Sequence, residues 1–171
     1  DDDPLHYDLY YSADGGSTWT PVAMGLGICE HVWDGSGLPA SEAGRLRVVA
    51  SDGLLTAQAD GGPFVVGNKA PQVTLAQPAS GSATDPLAAL VLTGSAYDPE
   101  RGVLGDQALS WWSDRDGLLG RGVSVLVPPE RLSAGYHQIT LRALDDEGLI
   151  GEASVEVFVG QRIYLPLAWR P

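Results

Sequence analysis

The sequence predicts an all-β protein made of two tandem antiparallel β-sandwiches, and three observations support this fold class. Short runs with period-two alternation, rich in Val, Leu, Thr and aromatic residues, recur along the chain of 171 residues. Clusters of Gly, Pro and Asp separate the runs, and the chain contains 22 Gly and 12 Pro. No 11-residue window keeps the period of 3.6 that an amphipathic helix needs. Short strands joined by frequent turns are typical of sandwiches.

The predicted strands fall into two series, separated by the polar break "NKAP". The first series belongs to a domain at 1–67, and its strands are Leu5–Ser12, Thr18–Met24, Glu30–Asp34, Arg45–Ser51 and Gly62–Gly67. The second belongs to a domain at 68–160, and its strands are Gln72–Gln77, Ala88–Asp98, Ala108–Asp114, Val123–Pro128, Tyr136–Asp145 and Glu152–Gly160. A C-terminal tail at 161–171 follows and is apolar at alternate positions, namely Ile163, Leu165, Leu167 and Trp169.

The two series resemble each other, which indicates an internal repeat. "LYYSADGG" aligns with "SWWSDRDG", and "LRVVASDG" aligns with "ITLRALDDEG". In the second series the alternation turns Trp111 inwards and Trp112 outwards. The predicted core of the second domain is Val73, Leu75, Leu90, Leu92, Trp111, Val125, Ile139, Leu141, Val155 and Val157.

A family resemblance follows from these segments. Residues 70–160, with "LTGSAYDPE", "LSWWSDRDGLLGRG" and "AGYHQITLRALDDEGLIG", resemble Ig-like and PKD-like modules of bacterial extracytoplasmic proteins. Residues 1–67, with "DDDPLHYDLYYSADGGSTW", resemble a fibronectin type III-like module. In such modules an acidic loop lies between the second and third strands, so the resemblance implies that the first domain lacks its N-terminal strands. We expect a partner strand, from the tail, a neighbouring copy or an upstream segment, to cover its bare edge.

One short motif reads S-x-D-x-G-x-T-W and consists of Ser12, Asp14, Gly16, Thr18 and Trp19. It resembles the Asp-box hairpin of sialidases and related β-propellers. Sialidase chemistry needs several propeller blades, an arginine cluster and a Tyr/Glu pair, for which the chain is too short. The motif therefore favours a structural turn, in which Tyr10–Ser12 pairs with Trp19–Val22 and Asp14 accepts hydrogen bonds from backbone amides.

Acidic residues in the predicted loops of the second domain allow two interpretations. The candidate ligands are Asp98, Glu100, Asp106, Asp114 and Asp116, with further acidic residues at 145–147 and a matching run at Asp1–Asp3. Carboxylates from neighbouring loops at one end of a sandwich suit Ca²⁺, which takes six to eight oxygen ligands. Aspartate is also a favoured turn residue, and the spacing has no EF-hand loop. The sequence thus predicts either a calcium site or a set of turns.

Other residue types give no catalytic site. An outward Trp112 with Tyr97 suits stacking on a sugar ring, and the alternative is a tryptophan covered by a neighbouring loop.

The three histidines, His6, His31 and His137, have no metal-ligand spacing and are expected to be exposed on strands. Cys29 is the only cysteine, so no intrachain disulfide forms. It lies close to His31 but lacks an oxyanion hole, and the chain contains no G-x-S-x-G motif.

Charge and composition restrict the class of partner. The 22 acidic and 10 basic residues give a net charge of -12, which disfavours nucleic acid and anionic membranes. No apolar run reaches the ~20 residues of a membrane-spanning helix. The beginning "DDDPLHY" suggests an excerpt of a longer chain. The sequence predicts a non-catalytic accessory, spacer or adhesion module of a larger secreted or cell-surface bacterial protein. Its expected partners are neighbouring domains and a surface glycan or protein.

Two other functions are compatible with the sequence. One is a carbohydrate-binding module, in which Trp112 and Tyr97 form the platform. The other is the C-terminal fragment of a secreted peptidase or glycoside hydrolase whose catalytic domain lies upstream.

Overall fold

The structure is a computed structural model, and it describes residues 4–33 and 35–161. The chain divides into two compact units, unit 1 at 1–69 and unit 2 at 70–171. The acidic run Asp1–Asp3 and the apolar residues of the C-terminal tail lie outside the described residues. In the part that is described, no helix has the length and apolar character that a membrane crossing requires.

Unit 1 forms one four-stranded antiparallel sheet, ordered β2-β1-β3-β4. The strands are β1 His6–Ser12, β2 Thr20–Leu26, β3 Ser41–Ser51 and β4 Thr56–Val66. Within the described residues this sheet has no second layer. Strands β2 and β4 are its two edges.

The two faces of the unit 1 sheet differ in polarity, as the alternation along its strands predicts. On one face, Arg47 of β3 forms an ion pair with Asp60 of β4 at 2.6 Å and lies 4.0 Å from the centre of the Trp19 ring. The hydrogen bond from Arg47 lowers the pKa of Asp60. This face is therefore polar and suited to water.

The opposite face carries apolar side chains. The pairs Leu9↔Val48 and Tyr11↔Leu46 place these four residues on one side of the sheet. The aromatic rings of Trp33 and Phe64 lie 5.6 and 6.1 Å from that of Tyr11 and bury it. Val48, which lies farther along the same face, is 39% exposed. We call Tyr7, Leu9, Leu46 and Val48 the apolar face of unit 1.

The prediction of a strand at Glu30–Asp34 is wrong. Residues 30–33 form no strand, and residue 34 lies outside the described residues. A strand is stable only when its backbone groups pair with a neighbouring strand, and none of the described strands of unit 1 pairs with this segment. Val32 is left in solvent, 89% exposed, whereas Trp33 packs against the Tyr11 ring without forming a strand.

Unit 2 is a sandwich of two sheets. A five-stranded sheet has the order β10-β9-β12-β13-β6, and a second sheet has the order β11-β7-β5 with β8 beside β7. Its strands are β5 Gln72–Gln77, β6 Ser82–Thr84, β7 Leu90–Asp98, β8 Gly102–Val103, β9 Leu109–Ser113, β10 Gly117–Arg121, β11 Ser124–Val127, β12 Gly135–Leu144 and β13 Ile150–Val159. All pairs are antiparallel except β6–β13, which is parallel. The all-β fold class is confirmed.

The core of unit 2 lies between its two sheets and centres on Trp111, which is 0% exposed. The indole Nε1 of Trp111 donates to the carbonyl of Gly122 at 2.9 Å, so the buried ring has no unsatisfied donor. A Cβ on Gly94 would come within 3.3 Å of this ring and 2.8 Å of the Thr74 carbonyl, so the close approach of the layers requires glycine. The predicted core positions are confirmed. They are either buried or packed against the buried cluster.

Shortening a side chain in this core should destabilise unit 2. Leu92 is 0% exposed and its neighbour Val91 is 42% exposed, because successive residues of β7 face opposite sides. We expect Leu92→Ala to lower the free energy of unfolding by about 2–5 kcal/mol through lost contacts and a residual cavity. Val91→Ala, the control, should cost much less. Urea unfolding followed by circular dichroism measures both, and equal losses would contradict the assigned faces.

Candidate functional site

The S-x-D-x-G-x-T-W motif builds a tight hairpin between β1 and β2. Asp14 Oδ1 accepts hydrogen bonds from the Thr18 amide and the Ser12 hydroxyl, both at 2.8 Å, and Oδ2 accepts from the Thr18 hydroxyl at 2.6 Å. The indole of Trp19 donates to the Gly16 carbonyl at 3.0 Å. The predicted strand pairing is confirmed, with Tyr10 opposite Pro21. Every named side chain of the motif that carries a polar atom is bonded within the turn.

These hydrogen bonds determine the charge state of Asp14. The Thr18 hydroxyl and amide, followed by the Ser12 hydroxyl, lower the pKa of this carboxyl well below its usual range. All three donors stabilise the ionised form. The carboxylate therefore holds the turn as an anion, and it has no proton to give near neutral pH.

A cluster that the sequence did not predict lies at one end of unit 2. His137 is 1% exposed, so the expectation of an exposed strand histidine is wrong for this residue. His137, Ile139 and Leu141 occupy every second position of β12 and share its inward face. This period-two pattern in the sequence is the signal that could have predicted a buried histidine. Its Nδ1 lies 2.9 Å from Ser113 Oγ, and its Nε2 lies 2.6 Å from the Ser133 carbonyl.

This cluster has serine, histidine and aspartate, but its geometry is that of a structural network. A carbonyl only accepts, so His137 Nε2 donates to Ser133, and in the neutral ring Nδ1 accepts from the Ser113 hydroxyl. Asp116 Oδ2 lies 3.5 Å from the same Nδ1. In a hydrolytic triad, serine and carboxylate contact opposite ring nitrogens. Here both face one nitrogen, and Ser113 is itself buried.

The five predicted calcium ligands do not form a single site, so the predicted grouping is wrong. Ion pairing of Arg101 with Asp146 at 2.7 Å places the loop after Asp98 beside the C-terminal end of β12. The acidic turn after β9 lies beside the N-terminal end of β12, because Asp114 Oδ1 accepts from the Gln138 amide at 2.9 Å. These ends are opposite. Asp98 and Glu100 therefore lie at one end, with Asp106, which precedes the pair Leu109↔Ala143. Asp114 and Asp116 lie at the other end.

Four of these carboxylates accept hydrogen bonds from backbone amides. Asp98 Oδ1 accepts from Glu100 and Arg101, both at 2.9 Å, and Asp106 Oδ1 accepts from Val123 at 2.8 Å. Asp114 and Asp116 do the same across the other end of unit 2. Among residues 4–33 and 35–161, no group of three or more His, Cys, Asp or Glu side chains could hold a metal ion. The contacts are those expected of turn residues.

The prediction that Trp112 and Tyr97 form one aromatic platform is also wrong. Trp112 lies on the outer side of the five-stranded sheet, whereas Tyr97, 47% exposed, lies on the outer side of the other sheet. The two rings therefore face away from each other across the sandwich. Trp112 Nε1 donates to Ser110 Oγ at 3.0 Å, and the Arg142 guanidinium lies 5.2 Å from the ring centre.

Cys29 and His31 lie at the margin of a depression over the apolar face of unit 1. The depression has a volume of about 270 Å³, and its lining includes Leu9, Leu46 and Val48. Cys29 and His31 are both exposed, and no described contact joins them. The depression is an apolar surface without a nucleophile–base pair among the described residues.

Comparison with known proteins gives similarities at the level of solved structures. No family model and no curated protein matches the sequence. The chain is similar to the fibronectin(III)-like modules of CbhA from Clostridium thermocellum, with 20% identity, a TM-score of 0.44, and coverage of 94% of this chain and 81% of that chain. It is also similar to the chicken interferon gamma receptor alpha chain, with 12% identity, a TM-score of 0.38, and coverage of 94% and 88%. A third similarity is to protocadherin gamma B2 extracellular cadherin domains 3-6, at 16% identity, a TM-score of 0.33, and coverage of 93% and 43%.

Asp14→Asn should destabilise the hairpin of unit 1 in a pH-dependent way. The lowered pKa means that ionised Asp14 contributes stability fully above the unfolded value of 3.8, and that this contribution is lost as the pH falls from there towards the folded value. We expect the variant to unfold at lower urea concentration than wild type at pH 7, with a smaller difference at pH 3. The exposed Glu42→Gln is the control. A pH-independent difference would contradict the role assigned to the carboxylate.

Calcium should not change the thermal stability of the described parts of the chain. A cation that binds only the folded state raises the melting temperature. The five predicted carboxylates are divided between two ends of unit 2, and four of them already accept hydrogen bonds from backbone amides. We expect the same melting temperature in millimolar calcium and in chelator, measured by calorimetry. A calcium-specific rise, absent with magnesium, would contradict this and restore the calcium interpretation.

Proposed function

We propose that this chain is a non-catalytic accessory module, a spacer or adhesion segment, of a larger secreted or cell-surface bacterial protein. The observation that carries the proposal is the apolar face of unit 1, which the described residues leave partly uncovered. The chain on this view works in contact with further polypeptide of the same protein or of a neighbouring one.

The uncovered face supports this view because a sheet is stable when its apolar side packs against a second layer. Unit 2 meets this requirement with its own two sheets, whereas the described residues of unit 1 form one sheet. Val48 and Ile28 border the 270 Å³ depression and are 39% and 68% exposed. Apolar surface that continues over neighbouring strands is typical of a protein contact. A covering segment would bury these side chains.

The polar clusters support a non-catalytic role. Ser113, His137 and Asp116 hold a turn at the end of β9, and Asp14 holds the β1–β2 hairpin. Catalysis needs a nucleophile or base with a free atom directed at substrate. In these clusters the side-chain atoms face backbone groups or one another. Their arrangement suits a rigid scaffold.

The proposal predicts that the isolated chain binds the dye 8-anilinonaphthalene-1-sulfonate through unit 1. Val48→Gln should reduce the dye fluorescence, because it puts an amide on the apolar face of unit 1. Leu126→Gln is the control, since Leu126 is 68% exposed on β11 and belongs to unit 2. Hydrogen exchange should show faster exchange for β1 and β3 than for β9 and β12.

Three results would contradict the proposal. One is a monomer that binds no dye and protects β1 and β3 fully. A second is dye binding that rises when 162–171 are deleted, because the chain's own tail would then be the cover. The third is turnover of peptide or glycoside substrates by the purified chain, which would overturn the non-catalytic role.

A further inference from the structure

The outer side of the five-stranded sheet in unit 2 carries a row of charged side chains across four strands. Arg121 of β10 is opposite Ser110 of β9, Ser110 is opposite Arg142 of β12, and Arg142 is opposite Glu152 of β13. Partners in a sheet point to the same side. The two arginines therefore flank Ser110 with their Cα atoms about 10 Å apart, since neighbouring strands are about 4.8 Å apart.

A groove lies over this row because serine is the smallest side chain in it. Its volume is about 220 Å³, and its lining includes Trp112 on one side and Leu144 and Ile150 on the other. Gln107 also lines the groove. We call this depression the Trp112 groove. It combines an aromatic ring, aliphatic walls and a polar floor.

The two arginines differ in whether a carboxylate pairs with them. Arg142 Nε donates to Glu152 Oε1 at 2.7 Å, and the guanidinium packs on the Trp112 ring. Arg121 is exposed, and none of the described carboxylates lies within ion-pair distance of it. A guanidinium presents paired N–H groups that match the two oxygens of a carboxylate. Arg121 thus leaves a carboxylate-binding group at the margin of the groove.

Trp112 is held in a defined position for contact with a ligand. The bond from its Nε1 to Ser110 Oγ orients the indole along the groove and leaves the Ser110 hydroxyl hydrogen available for a ligand oxygen. An indole face suits the C–H face of a pyranose ring, and the nearby Gln107 amide suits sugar hydroxyls. The groove therefore offers partners for one ring, several hydroxyls and one carboxylate.

The geometry points to a binding site for a carboxylated pyranose, a uronate residue of an acidic oligosaccharide, in the Trp112 groove. Its carboxylate pairs with Arg121, its ring lies against the part of the Trp112 indole that the Arg142 guanidinium leaves uncovered, and its hydroxyls bond to Ser110 and Gln107. The net charge of -12 opposes dense polyanions, which favours a ligand with one carboxylate per sugar over a sulfated chain. This site lies wholly within unit 2 and does not depend on the proposed accessory role or on how unit 1 is covered.

Calorimetric titration of the full chain with tri-galacturonic acid tests the site. The matched neutral ligand is the fully methyl-esterified trisaccharide, which keeps the rings and removes the charge. We expect the acid to bind and the ester to bind at least about tenfold more weakly, because hydrogen bonds to charged groups are the stronger class. Arg121→Gln should reduce affinity for the acid by about tenfold, and Trp112→Ala should abolish it.

Two control variants separate the groove from the rest of the surface. Tyr97→Ala removes an exposed ring from the other sheet, and Arg101→Gln removes an exposed arginine at the end of the sandwich. Both should bind the acid as wild type does. In ¹⁵N NMR spectra, the Trp112 side-chain N–H signal should shift on titration with the acid.

Several results would overturn the site. They are no binding of the acid at millimolar concentration, equal binding of acid and ester, or unchanged affinity in Arg121→Gln. Tighter binding of a heparin tetrasaccharide, or of an acetylated tripeptide through its C-terminal carboxylate, would assign the groove to another ligand class. None of these results bears on the dye-binding test of unit 1.

Discussion

The packing of Trp111 between the two sheets of unit 2 is the interaction on which the rest of that unit depends. The indole is wholly buried, donates to Gly122, and lies where Gly94 lets the opposite sheet come close. Because side chains alternate along β9, an inward Trp111 fixes Ser110 and Trp112 on the outer side and Ser113 on the inner side. One buried ring thus determines both the outer groove and the inner serine–histidine contact.

Features formed by residues close in sequence could be predicted. All the hydrogen bonds of Asp14 go to residues within four positions, so the motif itself specifies the hairpin. The alternation of apolar residues likewise predicts the core of unit 2, because period two assigns each residue of a strand to a face. For Trp111 and Leu92 the assignment needs no knowledge of which strands are neighbours.

Features that depend on topology could not be predicted in this way. Alternation shows that Tyr97 and Trp112 both point outwards, but only the order of the strands shows that they lie on different sheets. The contact of Ser113 with His137 joins residues 24 positions apart and depends on the pairing of β9 with β12. The segment at 30–33 fails as a strand for the same kind of reason, since strand formation depends on a partner and not on local preference alone.

The parallel pairing of β6 with β13 has a mechanical consequence. These strands come from the beginning and the end of unit 2, and they pair through Ser82↔Val157, Ala83↔Phe158 and Thr84↔Val159. Tension applied through the two ends of the unit pulls such strands along their length in opposite directions. Their hydrogen bonds then carry the load together in shear and do not open one after another, so the geometry favours resistance to stretching.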